Sequence, residues 1–138
     1  MKTLYTAEVT ATGDGRNGKV RSSDGLVDLD LAIPVEMGGA GGAANPELLF
    51  AAGFAACFHS ALRAVARRAK ADVSGTEITA QVGIGPSGDG GYQLAVTLRA
   101  SLPAVDRATA EQLVAQAHQV CPYSRATRGN IDVTVELV

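Results

Sequence analysis

Cysteine is scarce in this chain: two in 138 residues, Cys57 and Cys121, 64 positions apart. A domain of this length buries roughly two-thirds of the surface its unfolded chain exposes, so it needs no disulfide scaffold to hold a core. Basic charge is lacking too. Twelve Lys and Arg against fourteen Asp and Glu leave a net charge of −2, with RAVARRAK the one basic cluster, which excludes the electrostatic footprint of a nucleic-acid binder. The longest uncharged apolar run, residues 48–58, has 11 residues, short of the roughly 20 that a membrane span needs. The amino-terminal MKTLYTAEVT has neither an apolar h-region nor a cleavage site, so no signal or transit sequence is expected. A soluble, cytoplasmic protein follows as the expectation. In a reducing cytosol lasting disulfides are rare, and a cysteine pair is catalytic, metal-binding or simply buried. No P-loop, internal repeat or low-complexity segment occurs, and a single domain covering 1–138 is expected.

Periodicity divides the chain. Tyr5, Ala7 and Val9 alternate with polar residues, as do Val27, Leu29 and Leu31, with KVRS and the turn signal SSDG between them, which predicts a three-stranded meander. After the glycine-rich MGGAGGAA, Asn45 and Pro46 supply an N-cap and a proline at the first helical position. One long helix, or two, is predicted from there to about Lys70. Its first half is apolar all round and must be enclosed, whereas Arg63, Arg67, Arg68 and Lys70 solvate the second. Ile78 to Ile84 and Tyr92 to Leu98 alternate across PSGDGG, a hairpin. A second helix begins near Asp106 or Thr109 and carries the stripe Leu113, Val114, Ala117, Val120 and Cys121, ended by Pro122. Ile131, Val133, Val135 and Leu137 form a last strand. The order βββ-α-ββ-α-β predicts an α+β fold with mainly antiparallel pairing.

Two glycine motifs, GAGGAA at residues 39–44 and GIGPSG at residues 83–88, fit the loose dinucleotide fingerprint. The first lacks an acidic residue about 20 positions on and the second leads into a strand, so both read as a hinge and a turn. A zinc site is the next alternative, because Cys57, His59, His118 and Cys121 are the right ligand types. On a helix, however, Cys57 and His59 point about 200 degrees apart and cannot share one ion without unwinding. The plainest alternative makes both cysteines small core hydrophobes.

Reactivity needs a thiolate, and Cys57 lies too deep in its helix to use the N-terminal dipole, so a cation must come from elsewhere. Arg16, in TGDGRNGKV, has glycines on both sides that let its loop bend inward, and Glu47, beside the apolar run, is the carboxylate that could hold its guanidinium by two points. Arg21 lies nearby as a second candidate.

Taken together, TAEVTATGDGRNGKVRSSDG, GGAGGAANPELLFAAGFAACF and AHQVCPYSRATRGNIDV resemble the organic hydroperoxide resistance proteins of the Ohr/OsmC family over essentially the whole chain. The resemblance implies an OsmC-like fold, with a mainly antiparallel sheet around a long buried central helix, in an intertwined homodimer. It implies a thiol-dependent peroxidase acting on alkyl and fatty-acid hydroperoxides. Cys57 would be the peroxidatic cysteine, Cys121 the resolving one, Arg16 the catalytic arginine and Glu47 its partner, with no bound cofactor or metal. The external dithiol would be dihydrolipoamide or a lipoylated protein. VCPYS and the short amino terminus favour the Ohr branch over its OsmC sister. Phe50 and Phe54 lie within about 60 degrees of Cys57 on an ideal helix and could line an apolar channel for the alkyl tail. A non-catalytic apolar-ligand carrier remains the third function class. Glu47 and Cys57 are ten residues apart, about 15 Å on a straight helix. This distance predicts a break near Gly53, or a site completed by other segments. The apolar circumference of the helix predicts cover from a second subunit.

Overall fold

The computed structural model describes all residues 1–138. Its contacts gather into two compact units, Met1–Leu49 and Phe50–Val138.

In the first unit β1 (Val9–Thr12), β2 (Lys19–Ser22) and β3 (Asp28–Asp30) form an antiparallel sheet in that order. The meander is as expected, although its first strand starts at Val9 rather than around Tyr5, and Tyr5 is exposed. Alternation alone sets no strand end where both faces meet solvent, and β1 is exposed at every residue. A 3-10 turn at Gly15–Asn17 joins β1 to β2. Gly15 sits at φ +57, and a side chain on Gly18 would strike the Thr12 carbonyl, so the two glycines permit the tight bend that displays Arg16. Beyond β3, Leu31 pairs in parallel with Ala44, and the Ala32 N–H donates to the Ala44 carbonyl at 2.9 Å. That contact delivers Asn45 and the start of the long helix α1 (Pro46–Ala69) next to this sheet.

α1 begins as expected: Asn45 Oδ1 accepts the Leu48 N–H at 2.9 Å, and Pro46 takes the first position, where its missing donor costs nothing. It is one helix of 24 residues with no break at Gly53, contrary to the expectation. The glycine has another use. A Cβ there would lie 2.8 Å from the Tyr123 hydroxyl oxygen and 3.1 to 3.2 Å from its ring, so the bare backbone admits an aromatic side chain from elsewhere in the second unit. With mean hydropathy 1.6 over its best window, α1 is long and apolar enough to cross a bilayer. The sequence reading missed this by counting only an unbroken uncharged run. One side of it packs into the core. Phe54, Phe58 and Leu62 are fully buried, with Val65 and Ala66 beside them.

These side chains meet the second unit's sheet, in which β4 (Glu77–Pro86) pairs antiparallel with β5 (Tyr92–Ser101), and β5 pairs parallel with β6 (Val133–Leu137). Val96, Leu98 and Ala100 of β5 face α1, and Ala110, Leu113, Val114 and Ala117 of α2 (Arg107–Val120) complete the core. Each fully buried Phe or Leu contributes about 1.5–3 kcal/mol of transfer free energy. A parallel pair needs a long crossover, here α2 and a further short helix, α3 (Pro122–Thr127). α3 was not expected: Pro122 ends α2 but also opens α3 at its first position, and Cys121 sits at the corner between them rather than on the α2 stripe. Enclosure of the first half of α1 is incomplete, since Leu48, Ala52 and Ala56 form an exposed face.

Candidate active site

In the first unit the Arg16 guanidinium donates to both Glu47 carboxylate oxygens, Nη1 to Oε2 at 2.9 Å and Nη2 to Oε1 at 2.7 Å. The glycine-bounded turn supplies the arginine, and the first turn of α1 supplies a carboxylate whose charge is also favoured by the helix N-terminus. The Arg16 bond holds Glu47 below the ordinary carboxylate value, and burial opposes it. The pair is partly exposed, 36% at Arg16 and 12% at Glu47. Its contribution to stability is therefore about 1 kcal/mol or less, and its main effect is to orient the guanidinium. Arg21 instead faces Asp28, at 4.0 Å.

In the second unit Cys57 of α1 and Cys121 of the α2–α3 corner place their sulfur atoms 3.7 Å apart, both as free thiols. A disulfide needs about 2.05 Å, so closure takes a further approach of under about 2 Å. Cys57 is half-buried and Cys121 has no exposed surface. Burial pushes the Cys57 thiol up, the nearby Tyr123 backbone draws it down, and Cys121 pushes it up again. Sequence reasoning missed the part played by the Tyr123 backbone, because every residue except proline carries the same N–H.

Tyr123 also joins the two phenylalanines. Ring centroids lie 6.0 Å apart for Phe50 and Phe54, 6.2 Å for Phe50 and Tyr123, and 5.6 Å for Phe54 and Tyr123. Phe54 is sealed in the core, Phe50 is half-buried, and Tyr123 is 38% exposed. An apolar wall with one open end thus stands on the α1 face that carries Cys57. Of the four side chains weighed for zinc, the two cysteines meet, but no group of three or more His, Cys, Asp or Glu comes together. His118 instead meets Ser124, Nδ1 to Oγ at 2.8 Å, and lies tilted beside Phe58, ring centroids 6.5 Å apart.

The model of the OsmC-like protein family matches residues 38–136. The organic hydroperoxide resistance protein of Xanthomonas axonopodis pv. citri is 54% identical, across 99% of this chain and 96% of its own length. Among solved structures, an organic hydroperoxide resistance protein of Legionella pneumophila superposes with a TM-score of 0.94 at 50% identity, covering 99% of this chain and 98% of that one. One from Vibrio cholerae, crystallised with captopril in one of its active sites, gives 0.93 at 52% identity, covering 99% and 94%. Likeness at this level, over the full length of both sheets and all three helices, is kinship rather than shared architecture alone, and the chain belongs to the OsmC-like family, among its organic hydroperoxide resistance proteins.

Proposed function

We propose that the chain is a thiol-dependent peroxidase that reduces alkyl and fatty-acid hydroperoxides to alcohols. The observation that carries this reading is the pair of free thiols 3.7 Å apart, one half-buried and one sealed from solvent. Cys57, as thiolate, attacks the distal peroxide oxygen; the O–O bond breaks and an alkoxide leaves, protonated to the alcohol. The Cys57 sulfenic acid then takes the Cys121 sulfur. The S–O bond breaks, water departs with the Cys121 proton, and a disulfide remains. An external dithiol, dihydrolipoamide or a lipoyl group on a protein, returns both thiols by exchange and is itself oxidised to a disulfide.

Burial raises Cys57, so ionising it takes a positive group, and Arg16, oriented by Glu47, is the one proposed. A guanidinium there also stabilises the departing oxygen. The site is completed by a second copy of the chain in a homodimer. The exposed Leu48–Ala52–Ala56 face of α1 supports the same homodimer. Phe50, with Phe54 behind it, would guide the alkyl tail. The reducing dithiol and the paired free thiols suit a cytoplasmic setting.

Free thiols counted before and after one equivalent of an alkyl hydroperoxide test the reading. Loss of two is expected. Unchanged thiols would leave an apolar-ligand carrier, and stoichiometric metal lost on chelation would mark a zinc protein.

A further inference from the structure

Pro122 leaves a gap in the hydrogen bonding of α2. The carbonyl of His118 would ordinarily accept from the N–H four residues on, but that residue is Pro122, which has none. Arg128 fills the vacancy: its Nη2 donates to the His118 carbonyl at 2.6 Å, placing a positive charge at the negative end of the helix. The His118 side chain meanwhile bonds Ser124 across the corner at 2.8 Å, and Ser124 is fully buried. Thr127 adds bonds to the Tyr123 and Ser124 carbonyls. Everything tied in this way lies on either side of one residue. Cys121 donates its N–H to Ala117 and accepts from Arg125, so its backbone is held from both helices while its sulfur faces Cys57.

The geometry points to His118, Ser124 and Arg128 as a clasp that positions Cys121 for the resolving step, so that disulfide closure outruns over-oxidation of Cys57. This role rests on the peroxidase reading above. A sulfenic acid at Cys57 has two fates: condensation with Cys121, releasing water, or attack on a second hydroperoxide, which gives the sulfinic acid and another alcohol. Closure is intramolecular, and its advantage depends on how tightly the partner sulfur is held in reach. The clasp holds it without touching either sulfur. Burial and the Arg128 charge hold His118 below the usual histidine value, so the ring is neutral near pH 7. Either tautomer of neutral imidazole completes the Ser124 bond, with Nδ1 accepting the hydroxyl proton or donating its own.

The test is single turnover of the full-length protein with one equivalent of tert-butyl hydroperoxide, following sulfenic acid by dimedone trapping and disulfide and sulfinic acid by intact mass. In Ser124→Ala and His118→Phe the first oxidation is expected to keep its rate while closure slows roughly tenfold, the effect of losing one buried hydrogen bond. Sulfinic acid should then accumulate when peroxide is in excess. His118→Asn, whose amide stands where Nδ1 stood, should restore closure. Closure at the wild-type rate in both variants would overturn the clasp, as would equal slowing of both steps, or failure of the asparagine to outperform phenylalanine. If the wild-type protein itself forms no disulfide, the peroxidase reading falls first and the clasp with it.

Discussion

Cys57 and Cys121 have unequal surroundings, and the inequality sets what each substitution does. On the peroxidase reading proposed above, Cys57→Ser removes the sulfur that would meet peroxide, so turnover is expected to vanish in a coupled dithiol assay. Cys121→Ser should still permit one oxidation at Cys57, read as loss of a single thiol, with no recycling through a disulfide. For the ion pair, Arg16→Ala is expected to raise the midpoint of the Cys57 thiolate absorbance titration and to slow the first oxidation. Glu47→Gln should do the same more weakly, since an amide still orients the guanidinium by one bond. The pH dependence has a definite sign. Glu47 is depressed in the folded state, so the stability it supplies is complete above its ordinary value near 4.5 and fades as pH falls through the depressed one. Glu47→Gln should therefore lose less melting temperature on acidification, within the roughly 1 kcal/mol of a partly exposed pair. A wild-type and a variant profile that run parallel below pH 4.5 would show that the pair contributes nothing to stability.

At the scale of elements, Gly53 and the α2–α3 corner control one another. Gly53→Ala gains about 1 kcal/mol of helix propensity but pushes its methyl group against Tyr123, whose exposed end can swing aside. Thermal unfolding should show little net change. Gly53→Leu overfills the contact and should cost about 1–3 kcal/mol. Because the Tyr123 backbone draws the Cys57 thiol down, both variants should alter the thiolate titration, a readout independent of stability. These contacts mark where the sequence was legible and where it was not. Alternating residues located both sheets, Asn45 and Pro46 fixed the start of α1, and glycines around Arg16 with an isolated Glu47 foretold the ion pair, because each rests on a local property. α3 escaped because a six-residue helix has less than two turns in which to show a period. The parallel pairing of β6 escaped because alternation is the same for either direction. Gly53 looked like a break because only the fold brings Tyr123 to it.

For the whole molecule the question is how many chains make one site. If Arg16 of one copy serves Cys57 of another, mixing Arg16→Ala with Cys57→Ser and letting subunits exchange should recover about a quarter of the wild-type rate, from one intact site in the mixed half of the dimers. A site built within one chain would recover none. Light scattering at micromolar concentration should report a dimer. The exposed face of Leu48, Ala52 and Ala56 is the surface to alter: Ala52→Glu should shift the population toward single chains and lower activity with it. The parallel strand β6 has one further consequence, for the moment of synthesis. At roughly 5–20 residues per second, several seconds separate the ribosome's release of Cys57 from its release of β6, the strand that completes the second unit's sheet beside β5. If Cys57 is the reacting thiol proposed above, a nascent chain made under peroxide stress passes through that interval with this sulfur not yet enclosed by the finished unit, so newly translated protein should carry more irreversible sulfur damage than protein finished before the stress began.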